Sequence, residues 1–136
     1  MVSAEGRRLA FRMADVIEVR ESGQVHRVPA TLPALRGVTA VRGRLVPLVH
    51  LGALINRGAC SPKPPGTVVV VHTGQGAVAF EVDGADAAPG AEVVAAPEES
   101  ALPWVDGVLR RHDGWVPVLK LEALVERLRA EEGTRA

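Results

Sequence analysis

Four histidines, one cysteine and a few neighbouring carboxylates are the residues of this chain that could carry chemistry. A zinc site needs His at i and i+4 on a helix, or His beside Cys at short spacing, so that the ligands converge on one ion. His26, His50, His72 and His112 show neither pattern, and none accompanies Cys60 at such a spacing. The segment from His72 to Gly76 reads HTGQG, but it lacks the Lys-Ser/Thr ending of a phosphate-binding loop and fits a hairpin turn better. His72 and His112 both fall at expected turns, in solvent. His50 follows a strand, in a partly buried position. Asp83 with Asp86, and Glu98 with Glu99, read as solvated surface charge. No G-x-S-x-G motif occurs. Cys60 stands in a Pro/Gly-rich stretch and reads as a passive loop thiol. As a lone cysteine it permits no internal disulfide, which suits a reducing cytosol. These residues imply no enzyme, no metal and no cofactor. A site assembled from distant residues stays open.

Any such site needs a chain to position it, and 136 residues suit one domain over residues 1–136. Such a chain can hold a core without staples. Its 47% hydrophobic content argues against wholesale disorder. With two Phe, two Trp and no Tyr, the core rests on Val, Leu, Ala and Ile, a mixture that favours strands. Sixteen basic and sixteen acidic residues cancel. A duplex-binding surface ordinarily needs a basic excess, so nucleic acid is not an expected partner. The first residues contain no apolar run suited to a signal peptide, and no segment approaches the ~20 apolar residues of a membrane span.

The chain repeats itself. Residues 37–55, GVTAVRGRLVPLVHLGALI, align without gaps with residues 107–125, GVLRRHDGWVPVLKLEALV, at an offset of 70 (37 to 107) with seven identities in nineteen positions. Gly37 and Gly107, and Pro47 and Pro117, coincide. Duplication of one unit is the simplest account. Each copy reads as a strand opened by Gly, a polar turn, a strand around Pro at an end, edge or bulge, and a short helix. In the second copy Leu121, Leu124, Val125 and Leu128 mark one helix face, and Gly133 would end it. Residues 57–66, RGACSPKPPG, form a linker between the copies. TVVVV and AVAFEV around HTGQG make a hairpin, in which Val78, Phe80 and Val82 face opposite to Ala77, Ala79 and Glu81. DVIEV favours a strand, with Asp15 or Ser22 available to cap a helical turn. Residues 84–103 read as loop, with a short strand at 92–95. The class is mostly β: two small barrel-like halves that share strands, with a C-terminal helix.

RVPATLPALRGVTAVRGRLVPLVHL resembles the signature of CheW-like domains: a Pro-containing approach, a Gly-Val pair, an Asn-Leu-Arg-Gly turn and a Val-Pro strand ending in Asp-Leu. TVVVV, AVAFEVDG, WVDGV and GWVPVLKLEALV follow in the family's order, so the resemblance covers nearly the whole chain. It implies two five-stranded SH3-like β-barrel subdomains. It also implies a non-catalytic adaptor that couples the cytoplasmic tip of a chemoreceptor to the regulatory domain of a CheA-type histidine kinase, in the cytoplasm at receptor clusters. The family's protein-binding positions match Arg42, Gly43, Glu18, Gly37 and Val38, with Val16 and His50 beside them. Arg42 in a Gly-flanked turn can present its guanidinium to a carboxylate. Surface residues of purely structural role are the competing reading for Arg42 and Glu18. Val16, Val38 and Leu45 are apolar strand residues for which a core position competes with an interface.

The chain also departs from the family pattern. Only residues 1–5 precede Gly6, so the N-terminal strand is abbreviated. Ala40 replaces the Asn, His50 the Asp and Gly52 the Arg, and the connection between residues 83 and 107 is short. Beside the complete adaptor, which stays the default, these departures open the reading of a chain that keeps the receptor and binds the kinase weakly or not at all. The shortened edge could instead favour self-association or pairing with another CheW-like protein. The alternative reading is a small-molecule-binding or hydrolytic β-barrel domain.

Overall fold

A computed structural model describes residues 1–4, 6–26, 34–56, 66–74, 76–86, 92–95, 104–111 and 114–135. Cys60, His112, Asp113, Glu98, Glu99 and linker residues 57–65 lie outside the described residues.

The elements run β1 (Val2–Ala4), β2 (Arg7–Leu9), a 3-10 turn (Met13–Asp15), β3 (Val16–Glu21), β4 (Val25–His26), β5 (Leu35–Val41), β6 (Arg44–His50), α1 (Leu51–Asn56), β7 (Thr67–Thr73), β8 (Gly76–Val82), β9 (Gly84–Ala85), β10 (Glu92–Val94), β11 (Val105–Arg111), β12 (Gly114–Leu119) and α2 (Leu121–Arg135). One sheet has the order β3-β7-β8-β6-β5-β4. The sheets β2-β1-β9 and β10-β11-β12 are joined by a parallel bridge between Ala10 and Val118. The chain is thus mostly β, as two barrel halves with a C-terminal helix.

The sequence repeat is a structural one. Val38 pairs with Pro47 and Val41 with Arg44; Val108 pairs with Pro117 and Arg111 with Gly114. Both hairpins carry a register shift at the same place, between Leu35 and Gly37 and between Val105 and Gly107. The correspondence reaches beyond the hairpin. The parallel pairing of Ala79 with Leu48 answers to that of Ala10 with Val118. Val2 sits opposite Leu9 and Ala85, as Val71 sits opposite Val78 and Val16. So β1, β2 and β9 correspond to β7, β8 and β3. Each barrel therefore combines strands of both repeats: β3–β6 with β7 and β8 in the first, β9–β12 with β1 and β2 in the second. β1 has three residues where β7 has seven.

This exchange puts the main core between the barrels. Phe11, Leu51, Leu54, Val69, Phe80, Leu119 and Leu124 belong to one buried cluster, and Phe11 and Phe80 lie 5.7 Å apart between ring centroids. Offset aromatic pairs of this kind add about 0.5–1.5 kcal/mol to the burial itself. A smaller cluster fills each barrel: Val46, Leu48, Val68, Val70 and Ala79 in one, Ala10, Leu109, Val116 and Val118 in the other. Strand β8 borders two of these cores, with Phe80 and Val82 in the central cluster and Ala79 in the first barrel, as its alternation predicts.

Several local expectations are corrected. Gly37 and Gly107 do not open their strands; each sits two residues in, at the register shift. A Cβ on Gly37 would meet the His26 carbonyl oxygen at 2.5 Å, and one on Gly107 the Val94 carbonyl oxygen at 2.8 Å. Close approach of β4 and β10, not strand initiation, is what requires glycine there. Pro47 lies mid-strand, but the ladder to β8 begins only at Leu48, so its missing N–H falls at a ladder end. Asp15 ends the 3-10 turn and does not cap it; Arg12 occupies the N-cap with no side-chain bond. His72 lies within β7, exposed, and not in a turn. Leu45 is 67% exposed, not core. Gly133 falls inside α2, which continues to Arg135.

Candidate functional site

Strand β3 carries a register shift between Val16 and Glu18, which turns Val16 towards the central core and leaves Glu18 half-buried at the surface. The β5–β6 hairpin closes through Arg42 and Gly43, with φ of 50° and 79°. Two consecutive positive φ values define the hairpin turn that follows strand twist, and they favour Gly or Asn. Arg42 is the only non-glycine residue with positive φ among those described. Its Nη2 donates to Glu18 Oε2 at 3.4 Å, while Arg20 Nη1 donates to Glu18 Oε1 at 3.4 Å. Arg42 keeps 69% of its side chain exposed, so most of its donor capacity faces solvent.

Arg42, Gly43, Glu18 and Val16 thus belong to one region of the first barrel. Gly37 and Val38 lie further down β5, where Gly37 is buried and Val38 half-buried. His50 is buried. Its Nδ1 accepts the backbone N–H of Ala53 at 3.0 Å, capping α1. Lys120, its counterpart before α2, is exposed.

On the face of β3 opposite Glu18 runs an apolar groove of about 220 Å³. Val16, Val19 and Val69 line it from the first barrel, Val2 and Ala85 from the second, and Phe11 and Met13 from the segment between β2 and β3. Met13 is 77% and Val19 52% exposed. A second hollow of about 210 Å³ shares Met1, Phe11 and Met13 and continues along Val93, Leu109 and Val118. In the groove Asp86 is the one side chain that ionises, and the rest of the side-chain lining is apolar. Among the described residues no group of three His, Cys, Asp or Glu could hold a metal ion. No described helix is long and apolar enough to cross a membrane.

Three features escaped sequence reasoning. Met13 and Val19 are exposed apolar residues; nothing in their neighbours separates them from core residues. Leu45 and Trp115 occupy equivalent hairpin positions and both face solvent, at 67% and 58%. Arg110 lies over the Trp115 ring at 5.2 Å. The third is the ion pair of Arg36 with Glu81, two residues that lie outside the ungapped repeat of 37–55 and 107–125.

A solved structure of similar fold is that of the scaffolding protein TtCheW from Thermoanaerobacter tengcongensis, with TM-score 0.72 and 18% identity over 90% of this chain and 83% of that one. No curated protein matches the chain by sequence. The family model described as CheW-like domain matches residues 1–129, which is nearly the full length. The chain belongs to the CheW-like domain family.

Proposed function

We propose that this chain is a non-catalytic adaptor that couples a chemoreceptor to a CheA-type histidine kinase. The observation that carries the reading is the groove: an apolar floor built by both barrels. A helical hairpin with an apolar stripe and flanking polar residues, such as a receptor's cytoplasmic tip, is the complementary shape. Contact area comes from Met13, Val16 and Val19, and the charged cluster of Glu18, Arg20 and Arg42 on the other face of the edge strand β3 sets orientation. An adaptor also needs a second surface. Leu45 on one barrel and Trp115 on the other are exposed apolar side chains outside the groove lining, available to the kinase regulatory domain or to another CheW-like chain.

Family membership and the fold shared with a scaffolding protein support this reading. A hydrolytic alternative would require a nucleophile paired with a base in a cleft, and the groove lining holds the single carboxylate of Asp86. The test is binding of the purified full chain to the receptor's cytoplasmic segment and, separately, to the kinase regulatory domain. Micromolar or tighter binding to both is expected. Binding to the receptor alone would mark an adaptor restricted to that partner, and binding to neither would sink the proposal.

A further inference from the structure

The chain contains two methionines, and both line the groove and the hollow that adjoins it. Methionine occurs in no other place in the molecule, so this one surface holds all of the thioether sulfur. Met13 is the most exposed of the large apolar side chains described, at 77%. Its backbone is nonetheless fixed. It opens the 3-10 turn closed by Asp15 N–H to Arg12 carbonyl at 3.0 Å, and Arg12 is tied to Asp106 at 2.8 Å. The side chain therefore stands in solvent at a defined place, over a groove lined by Phe11, Val16 and Val19.

We propose that Met13 is an oxidation site that controls docking in this groove; the consequence for docking rests on the adaptor reading above. The oxidant is a peroxide. The thioether sulfur attacks one peroxide oxygen, the S–O bond forms and the O–O bond breaks. The departing hydroxide takes the proton left on the new oxygen and leaves as water. Sulfur is oxidised by two electrons and the peroxide is reduced by two. The product sulfoxide is polar, and a partner that covers the groove must strip it of water. Phe11, Val16 and Val19 offer it no donor, and the Met1 ammonium in the same lining donates to the Asp86 carbonyl at 2.7 Å. Arg12, the donor side chain lining the adjoining hollow, is engaged by Asp106. Exposure gives the oxidant access, and the unbranched, polarisable side chain gives the reduced groove its adaptable contact.

The experiment uses the full chain, treated with dilute hydrogen peroxide and analysed by peptide-resolved mass spectrometry. Met13 is expected to gain one oxygen before Met1 does; equal or slower oxidation of Met13 overturns the assignment. Affinity for the receptor's cytoplasmic segment is then measured before and after treatment. Oxidation is expected to weaken binding roughly tenfold. Methionine sulfoxide reductase should restore it, and in Met13→Leu, whatever that variant's own starting affinity, peroxide should change nothing; an equal peroxide-induced loss in that variant overturns the assignment to Met13. Binding by the oxidised wild-type chain at full strength overturns the switch alone. Failure of the untreated chain to bind the receptor segment overturns the receptor reading instead, while the oxidation ranking still stands or falls on the mass spectra.

Discussion

Arg36 and Glu81 form a two-pronged ion pair between β5 and β8, with Arg36 Nη2 at 2.9 Å from Glu81 Oε1 and Nε on Oε2. The repeat reproduces this pair with its charges exchanged. Asp106 stands where the second copy answers to Arg36, and Arg12 where the first answers to Glu81. Arg12 Nε and Nη2 donate to Asp106 Oδ2 at 2.9 and 2.8 Å. Each pair ties one repeat to the other. The environments differ: side-chain exposure is 15% and 8% for Arg36 and Glu81, against 41% for both Arg12 and Asp106.

That difference sets the expected stability effects. Removing one partner of a buried pair leaves the other charge without compensation, at about 3–5 kcal/mol. An exposed pair contributes about 0–1 kcal/mol. Glu81→Ala should therefore unfold at much lower denaturant than wild type, while Asp106→Ala should stay within about 1 kcal/mol. Exchange of the buried charges, Arg36→Glu with Glu81→Arg, should recover more stability than either single change. Urea melts of the set decide it, and equal losses for Glu81→Ala and Asp106→Ala would contradict this account.

The ion pairs show what the sequence could and could not reveal. The hairpin repeat was legible because residues 37–55 and 107–125 share one offset. Arg12 and Glu81 belong to a stretch shifted by 69 (Leu9 answers to Val78), so an ungapped comparison passes over them. The strand types were legible from β-branched runs and alternation. That the two halves share strands is expected from the sequence; that β1 and β2 are the strands that pass into the second barrel was not legible, because pairing between distant strands leaves no local trace in residue type. In the candidate site, Arg42 and Gly43 could be found from turn chemistry, whereas the groove draws Val2, Met13, Val19 and Val69 from four separate segments.

Glycine at the two register shifts gives a graded prediction. Gly37 has φ of 155°, and a Cβ there would stand 2.5 Å from the His26 carbonyl oxygen; Gly107 has no positive φ, and its Cβ would stand 2.8 Å from the Val94 carbonyl oxygen. Gly37→Ala should push β4 off β5 and cost about 2–3 kcal/mol, with Gly107→Ala costing less. Thermal melts of the two variants test the order, and a reversal of it would refute the argument.

His50 gives a prediction about capping. Its Nδ1 accepts the Ala53 N–H, a bond that a carboxylate at the same position could also make. His50→Ala should cost about 1–2 kcal/mol through the lost cap and the vacated space. His50→Asp should retain much of the stability by supplying another acceptor at the helix N-terminus. A His50→Asp variant as unstable as His50→Ala in chemical denaturation would show that the cap contributes little.

Arg42 separates binding from folding. The residue holds φ at 50°, a conformation that costs a non-glycine residue roughly 1 kcal/mol, and its bond to Glu18 is long and exposed. Arg42→Asn creates the Asn-Gly pair that this hairpin turn favours, so it should melt at or above the wild-type temperature. If Arg42 serves only the fold, nothing else should change. If the cluster of Arg42 and Glu18 contacts the receptor, the same variant should lose affinity for the receptor's cytoplasmic segment, by roughly five- to a hundredfold. Glu18→Ala should show the same separation, because an exposed pair contributes little stability while an interface charge contributes much to association. Stability unchanged or raised, with affinity lowered, is the expected joint result. Receptor affinity that stays at the wild-type level in both variants would remove Arg42 and Glu18 from the docking surface and leave the apolar groove to account for binding by itself.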